Sequence, residues 1–445
     1  MNSLPPIASI LLAFGLFVAP GSNGQATVVT DEPESGEWSS AKASAHGPFE
    51  LLDGDRVVLL GSGFIETEQE FGYLELALST RWPDRKATFR NVGWSGDTVF
   101  GDARARFTNP PSPYERLLDD ATAPDPTVIF VGYGSTVPFE ALDATGEAIE
   151  RMQAAVTRFE EGLDRLLDDL ERETGARIIL LSPPPLEAVM SPAPMNLVRR
   201  ANEALAEVSE AIARIAGERG HAFVDVFGGL AQTQRRVDAP FTTDGIQLNA
   251  AGYYQLARIV EEGLGLKPRG WSVRADASSE EVEADGARIL DFQSSGGAVA
   301  LTIQPQNLSL PPPDGIAVDS LPTYHNQRIS ITVLPDGAYA LAMDGVQMAT
   351  ATAGEWAAGL PIRQPALADS AERLRRLIIQ KNRLYFQQYR PPNETYLVGF
   401  RSYEQGQNAD ELERLTPLIE EKEREMARLM RPATLTLKLE PTGAK

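Results

Sequence analysis

The sequence predicts an α/β domain with a parallel sheet between two helical layers, followed by a β-rich and helical extension. Three observations predict it. Short apolar runs recur between residues 56 and 227. Stretches with apolar residues three and four apart lie between them. Beyond about residue 268 the pattern shortens to strict alternation between turn residues. Runs that are apolar throughout belong to a sheet covered on both faces, and strands alternating with long helices make parallel βαβ units.

Taken in order, RVVLL (Arg56–Leu60), TFRNVG (Thr88–Gly93), PTVIFVGYG (Pro126–Gly134), ARIILLSPPP (Ala176–Pro185) and HAFVDVF (His221–Phe227) read as strands. In Ile149–Thr174 the apolar residues Met152, Val156, Phe159, Leu163, Leu166, Leu167 and Leu170 fall on one helix face. Asn196–Arg219 behaves the same way, and Ala250–Leu264 forms a last helix. Residues 269–352 hold ARILDF, AVALTI, RISITVL and AYALAM separated by Pro, Gly and Asp, which predicts antiparallel β structure. Residues 366–389 and 408–431 are helical, with an aromatic-rich irregular stretch between them. The boundaries are an α/β domain over 48–268, a β-rich region over 269–360 and a helical region over 361–445.

The N-terminus carries one apolar run, Ile7–Ala19, too short to span a bilayer comfortably. With the small residues Gly24 and Ala26 behind it, it reads as a signal peptide over 1–26, then a flexible linker over 27–47. The expectation is an exported protein with no membrane span after cleavage; a membrane-anchoring or buried N-terminal helix is the alternative. The net charge of −21 makes nucleic acid and anionic lipid poor partners. With no cysteine, thiol catalysis and disulfides are excluded. The three histidines, His46, His221 and His325, form no metal-ligating spacing, so no metal and no cofactor is expected. Oligomeric state is not legible.

Open α/β sheets bind ligands beyond the carboxyl ends of their strands. Four segments there carry the chemistry: VVLLGSGFIE (Val57–Glu66), FRNVGWSGDT (Phe89–Thr98), FVGYGSTVPFE (Phe130–Glu140) and TTDGIQLNAAGY (Thr242–Tyr253). In this order they resemble the four blocks of the SGNH (GDSL-type) hydrolases, over about half of the chain. The resemblance implies a three-layer α/β/α fold and ester hydrolysis. A serine attacks, a histidine activates it, and an aspartate three residues before the histidine orients it. The serine N–H, a glycine N–H and an asparagine hold the oxyanion.

Carried over by position, the nucleophile is Gly63, the oxyanion glycine is Gly96 and the asparagine is Thr136. The aspartate is Asp244 and the histidine is Gln247. Three positions are therefore substituted: Gly63 has no side chain, and the Gln247 amide cannot take up a proton near neutral pH. Ser62, one residue earlier, is the alternative nucleophile if the turn shifts. Asp97, Asp102, Glu140 and Asp244 offer carboxylates for acid–base work or a cation, or else simply hold turns and helix ends. His221 falls at the amino end of the sheet, away from this chemistry.

Lys381–Glu411 resembles a segment that follows SGNH-like domains in exported planctomycete-type bacterial proteins. Tyr385, Phe386, Tyr389, Arg390, Asn393, Tyr396 and Arg401 either build a carbohydrate-binding surface or dock the helices on the first domain. Three functions stay open. One is a degenerate hydrolase that keeps a cleft for an acylated carbohydrate or similar small-molecule ester. The second is an active ester hydrolase using Ser62 or another base. The third is a structural cell-envelope protein.

Overall fold

The structure, a computed structural model, describes residues 48–106, 110–143, 148–237, 239–314, 327–362, 365–397, 401–404 and 410–442. The signal-peptide and linker expectations, His46 and His325 lie outside the described residues.

The chain opens with β1 (Arg56–Gly61), α1 (Gly63–Phe71), α2 (Tyr73–Arg81), β2 (Thr88–Asn91), α3 (Pro113–Thr122) and β3 (Val128–Gly132). There follow α4 (Val137–Asp143), α5 (Ala148–Thr174), β4 (Arg177–Leu181), α6 (Met195–Arg219), β5 (Ala222–Val224), α7 (Val226–Gln234) and α8 (Ala250–Gly263). The five strands form one parallel sheet in the order β2-β1-β3-β4-β5. The side-chain alternation of β1 shows why its sequence is apolar throughout. Val57 and Leu59 enter one core with α1, α2 and α8, while Val58 and Leu60 enter another with α3, α5 and α6. This is the three-layer α/β/α arrangement the sequence predicts.

The extension holds β6 (Trp271–Asp276), β7 (Val282–Asp285), β8 (Ala287–Ser295), β9 (Ala298–Pro305), β10 (Gln327–Thr332), β11 (Ala338–Met343), β12 (Val346–Thr352), α9 (Ala353–Ala358) and β13 (Leu360–Pro361). Its helical part is α10 (Pro365–Tyr389), α11 (Glu394–Leu397), α12 (Asp410–Glu413) and α13 (Thr416–Leu429), and the described chain ends on β14 (Leu435–Pro441). Two sheets, β13-β10-β6-β7 and β12-β11-β14-β9-β8, face each other across Val273, Ile329 and Ile331 on one side and Leu301, Leu341 and Leu437 on the other. They form a β-sandwich.

Two details differ from the sequence reading. β6 and β10 pair in parallel within an otherwise antiparallel region. The chain also returns from the helical region to place β14 in the middle of a sheet, between β11 and β9. The reason is non-local: β14 alternates buried and exposed residues, but its partners lie more than 90 residues earlier. At the junction, Arg269 is buried and donates through Nε to Glu261 at 2.9 Å, and Arg81 meets the same carboxylate at 2.6 Å. The paired charges tie the first strand of the sandwich to α8 and α2.

Candidate active site

Three motif segments leave the carboxyl ends of β1, β2 and β3, and the fourth, between α7 and α8, is tied to the loop after β4 by Glu187. β1 stops at Gly61, and Ser62 caps α1 with its carbonyl, accepting from Ile65 and Glu66 N–H at 3.0 Å. Gly63 is thus the first residue of α1. β2 runs into the segment Val92–Asp97, which crosses over α1: Trp94 N–H donates to Gly61 O at 2.9 Å. The crossing is so close that a Cβ at Gly93 would stand 2.5 Å from Glu66 N. Trp94 to Asp97 then closes a turn through Asp97 N–H to Trp94 O at 3.0 Å, with Gly96 at φ +76°, the type II geometry that calls for glycine in the third place.

The position carried over as the nucleophile is open. The nearest atoms to a Cβ built on Gly63 all belong to Ser95, with Oγ at 3.4 Å, and Gly63 has no left-handed backbone to strain. The exposed Ser95 hydroxyl therefore lies beside the space that a side chain at residue 63 would fill. Ser62 points elsewhere. Its side chain is buried, with 1% of the residue exposed, and its Oγ shares a 2.8 Å hydrogen bond with Ser135 Oγ.

Thr136 sits in the turn before α4 and donates its hydroxyl to Glu140 Oε1 at 3.1 Å, so that hydroxyl serves the helix start. Glu140 also pairs with Arg158 at 3.2 Å. Asp244 uses Oδ1 to accept from the N–H groups of Ile246 (3.0 Å) and Gln247 (2.8 Å), an Asx turn that shapes its own loop. Gln247 is exposed, and its carbonyl accepts from Thr243 N–H at 2.9 Å. Ser62, Gly63, Ser95, Gly96, Ser135 and Thr136 thus gather around the ends of β1 and β3. Among the described residues no hydrogen bond joins Asp244 or Gln247 to Ser62, Gly63 or Thr136. The last loop approaches α1 through α8, whose Tyr253 donates to Phe64 O at 2.8 Å.

The remaining carboxylates are structural. Asp97 is fully buried and accepts from Arg104 Nε at 2.8 Å, Tyr133 hydroxyl at 3.0 Å and Ala103 N–H at 3.2 Å. Burial pushes its carboxyl up, and the Arg104 guanidinium pulls it back toward the charged form. Asp102 accepts from the Thr98 hydroxyl at 2.6 Å. His221 precedes β5 at the amino end of the sheet and pairs with Glu171 at 2.8 Å.

Sequence reasoning missed Glu187, in the loop after β4. Its carboxylate accepts from Thr242 N–H at 2.9 Å, Thr242 hydroxyl at 2.5 Å and Phe241 N–H at 3.1 Å, and its own N–H donates to Gly245 O at 2.9 Å. It carries the loop of Asp244 and Gln247. No local pattern marks it, since its partners lie more than 50 residues on. Glu187→Ala leaves three donors without their acceptor and is expected to cost about 2 kcal/mol in urea denaturation. Amide exchange is expected to rise in Phe241–Leu248 before it rises elsewhere.

A three-layer α/β/α domain with three of these blocks at its strand ends and the fourth leading into α8 has the arrangement that the resemblance implies. Residues 65–255 match the GDSL-like lipase/acylhydrolase family. The match spans most of the α/β domain and supports its place in the SGNH-hydrolase superfamily. A gut microbial diltiazem-metabolizing enzyme superposes with a TM-score of 0.70 at 16% identity, covering 90% of this chain and 100% of its own. The fold it shares therefore extends through the sandwich and helices. An acetylxylan esterase from Geobacillus stearothermophilus (15% identity, TM-score 0.36) covers 49% of this chain and 98% of its own. A GDSL-like lipase from Parabacteroides merdae (18%, TM-score 0.40) covers 49% and 99%. No curated protein sequence matches the chain. Among the described residues, no helix is long and apolar enough to cross a membrane.

Proposed function

We propose that this GDSL-type cleft binds a small-molecule or carbohydrate ester but has lost the serine–histidine route to its hydrolysis. The observation that carries the reading is Gly63: it sits at the start of α1 with ordinary backbone and room for a side chain, yet supplies none. The other two substitutions act in the same direction. The Thr136 hydroxyl is committed to Glu140, and Gln247 cannot serve as a base. Losing one oxyanion donor alone costs roughly 10²–10³ in rate, and losing nucleophile or base removes most of the triad's remaining advantage. An acylated carbohydrate fits the reading as the ester. Export is proposed with it, on the strength of the apolar run Ile7–Ala19.

The test is hydrolysis of short-chain aryl esters by the purified chain, by Ser62→Ala, and by a Gly63→Ser/Thr136→Asn/Gln247→His variant. The starting protein and Ser62→Ala are expected to match the buffer rate. The triple variant is expected to gain at least about 100-fold. Turnover by the starting protein that Ser62→Ala abolishes would overturn the reading.

A further inference from the structure

The end of α10 brings the extension to the candidate site. Tyr389 closes that helix and Arg390 follows it, its N–H donating to Phe386 O at 2.8 Å. The Arg390 guanidinium lies 3.7 Å from the centroid of the Trp94 ring and donates through Nη1 to Glu66 Oε1 at 2.8 Å. The other Glu66 oxygen accepts the Ser95 N–H. Tyr389 donates its hydroxyl to Val92 O at 3.2 Å, accepts from Arg104 Nη1 at 3.2 Å, and sets its ring edge-on to Trp94 at 6.3 Å. Val92, Trp94 and Ser95 are the residues that lead into the turn of Gly96.

We infer that Arg390 is a positioning residue of the cleft: through Trp94 and Glu66 it holds the turn that presents Ser95 and Gly96 to residue 63. The physical case is one of restraint. Backbone bonds hold the ends of this turn at Trp94 and Asp97, while its apex, Ser95 and Gly96, is exposed, and the bond from Ser95 N–H to the Glu66 carboxylate ties that apex to α1. A planar guanidinium can stack on an indole and still donate to a carboxylate in its own plane. The Glu66 bonds are charge-assisted, which makes them short and directional. Glu66 belongs to α1, three residues after Gly63, so the restraint ties the turn to the same helix that begins at the nucleophile position. The helical region is then a working part of the cleft.

The test uses the full chain with Arg390→Ala, Arg390→Lys and, as a control on the exposed face of α10, Arg383→Ala. Hydrogen exchange is read in the peptide over Val92–Val99. Arg390→Ala is expected to speed exchange there about tenfold while the sandwich strands keep their rates. Arg390→Lys keeps a charge for Glu66 but loses the flat face over Trp94, so it falls between, and Arg383→Ala matches the starting protein. A second arm, which rests on the ester reading of the cleft, places Arg390→Ala in the Gly63→Ser/Thr136→Asn/Gln247→His background. There kcat is expected to fall about tenfold with KM held, because the turn is misplaced while the pocket remains. Unchanged exchange over Val92–Val99 overturns the inference, as does a loosened turn with kcat unchanged. If the restored background shows no turnover, the ester reading fails, and the exchange result alone accepts or rejects the Arg390 restraint.

Discussion

Lys381→Met is expected to destabilise the protein by about 3–5 kcal/mol, the cost of leaving one member of a buried ion pair alone. Lys381 lies on α10 with its side chain fully buried, 2.8 Å from Glu75 of α2, and it also donates to Phe89 O of β2 at 2.9 Å. Burial pushes the Glu75 carboxyl up and the Lys381 ammonium down, while each group pulls the other back toward its charged form. Without the lysine, Glu75 loses its largest opposing influence and is forced further toward the protonated acid. The cost is therefore expected to shrink as the pH is lowered toward 5. Denaturation in urea at pH 7.5 and pH 5 measures it. Glu75→Leu/Lys381→Met removes both charges and is expected to recover most of the loss, since two apolar side chains in such a site compare well with the pair. A single-variant cost below about 1 kcal/mol, in the range of exposed pairs, would show that this contact does not fasten the extension.

The first domain was legible because its signals are local. Five apolar runs became the five parallel strands, and the long amphipathic stretches became α5, α6 and α8 within one residue of their expected ends. The first three blocks fell on one sheet edge because strand direction decides which end of a βαβ unit carries the loops, whereas the fourth lies between α7 and α8 and is placed by Glu187. The docking of the helical region was less legible. Tyr385 and Tyr389 pack on the layer that holds α3 and α5, and the Arg90 guanidinium lies 5.2 Å from the Tyr385 ring centroid, so these aromatics serve as a docking face. Nothing in the spacing of α10 names Arg90, Arg104 or Glu66 as partners, since these lie roughly 300 residues away. β14 is the intermediate case. TLTLKLE carries a clear two-residue alternation, but it follows a helical stretch and has no neighbouring strand in sequence to suggest pairing.

The cleft divides in the same way. The segments were readable as loops at strand ends, because glycine and turn residues mark those ends whatever the side chains do. What each side chain touches was not. Thr136 turns to Glu140, Ser62 to Ser135 and Asp244 to its own loop, each through a hydrogen bond that spacing leaves undetermined. Glu187, which holds one of the loops from outside, looks in the sequence like an ordinary surface charge; Arg390 stands out there as a docking or sugar-binding residue, but nothing names Trp94 and Glu66 as its partners.

Glu68→Gln is expected to remove most of a stability loss that the protein otherwise suffers between about pH 4.5 and pH 8. Glu68 lies on α1 with its side chain buried; Oε1 accepts from Leu74 N–H at 2.6 Å, and Oε2 has no hydrogen-bond partner among the described residues. Burial pushes its pKa up to about 8, against a usual value of 4.5. Below about pH 4.5 the carboxyl is protonated in the folded and unfolded chains alike, and its contribution is fully present. As the pH rises, the unfolded chain releases the proton and the folded chain keeps it, so stability falls until the folded group also ionises near pH 8. At about 1.4 kcal/mol for each pH unit, the loss amounts to roughly 5 kcal/mol as an upper bound. Glutamine keeps the acceptor for Leu74 and cannot ionise. It is expected to lie within about 1 kcal/mol of glutamate at pH 5, where the protonated carboxyl and the amide each hold a donor that finds no acceptor among the described residues. At pH 8.5 it is expected to be about 3 kcal/mol more stable. Asp97 and Glu75 are also raised by burial and slope the same way, but they remain in both proteins, so the difference between the two pH profiles isolates Glu68. Parallel profiles would mean that Glu68 is ionised in the folded chain at neutral pH, with a partner for Oε2.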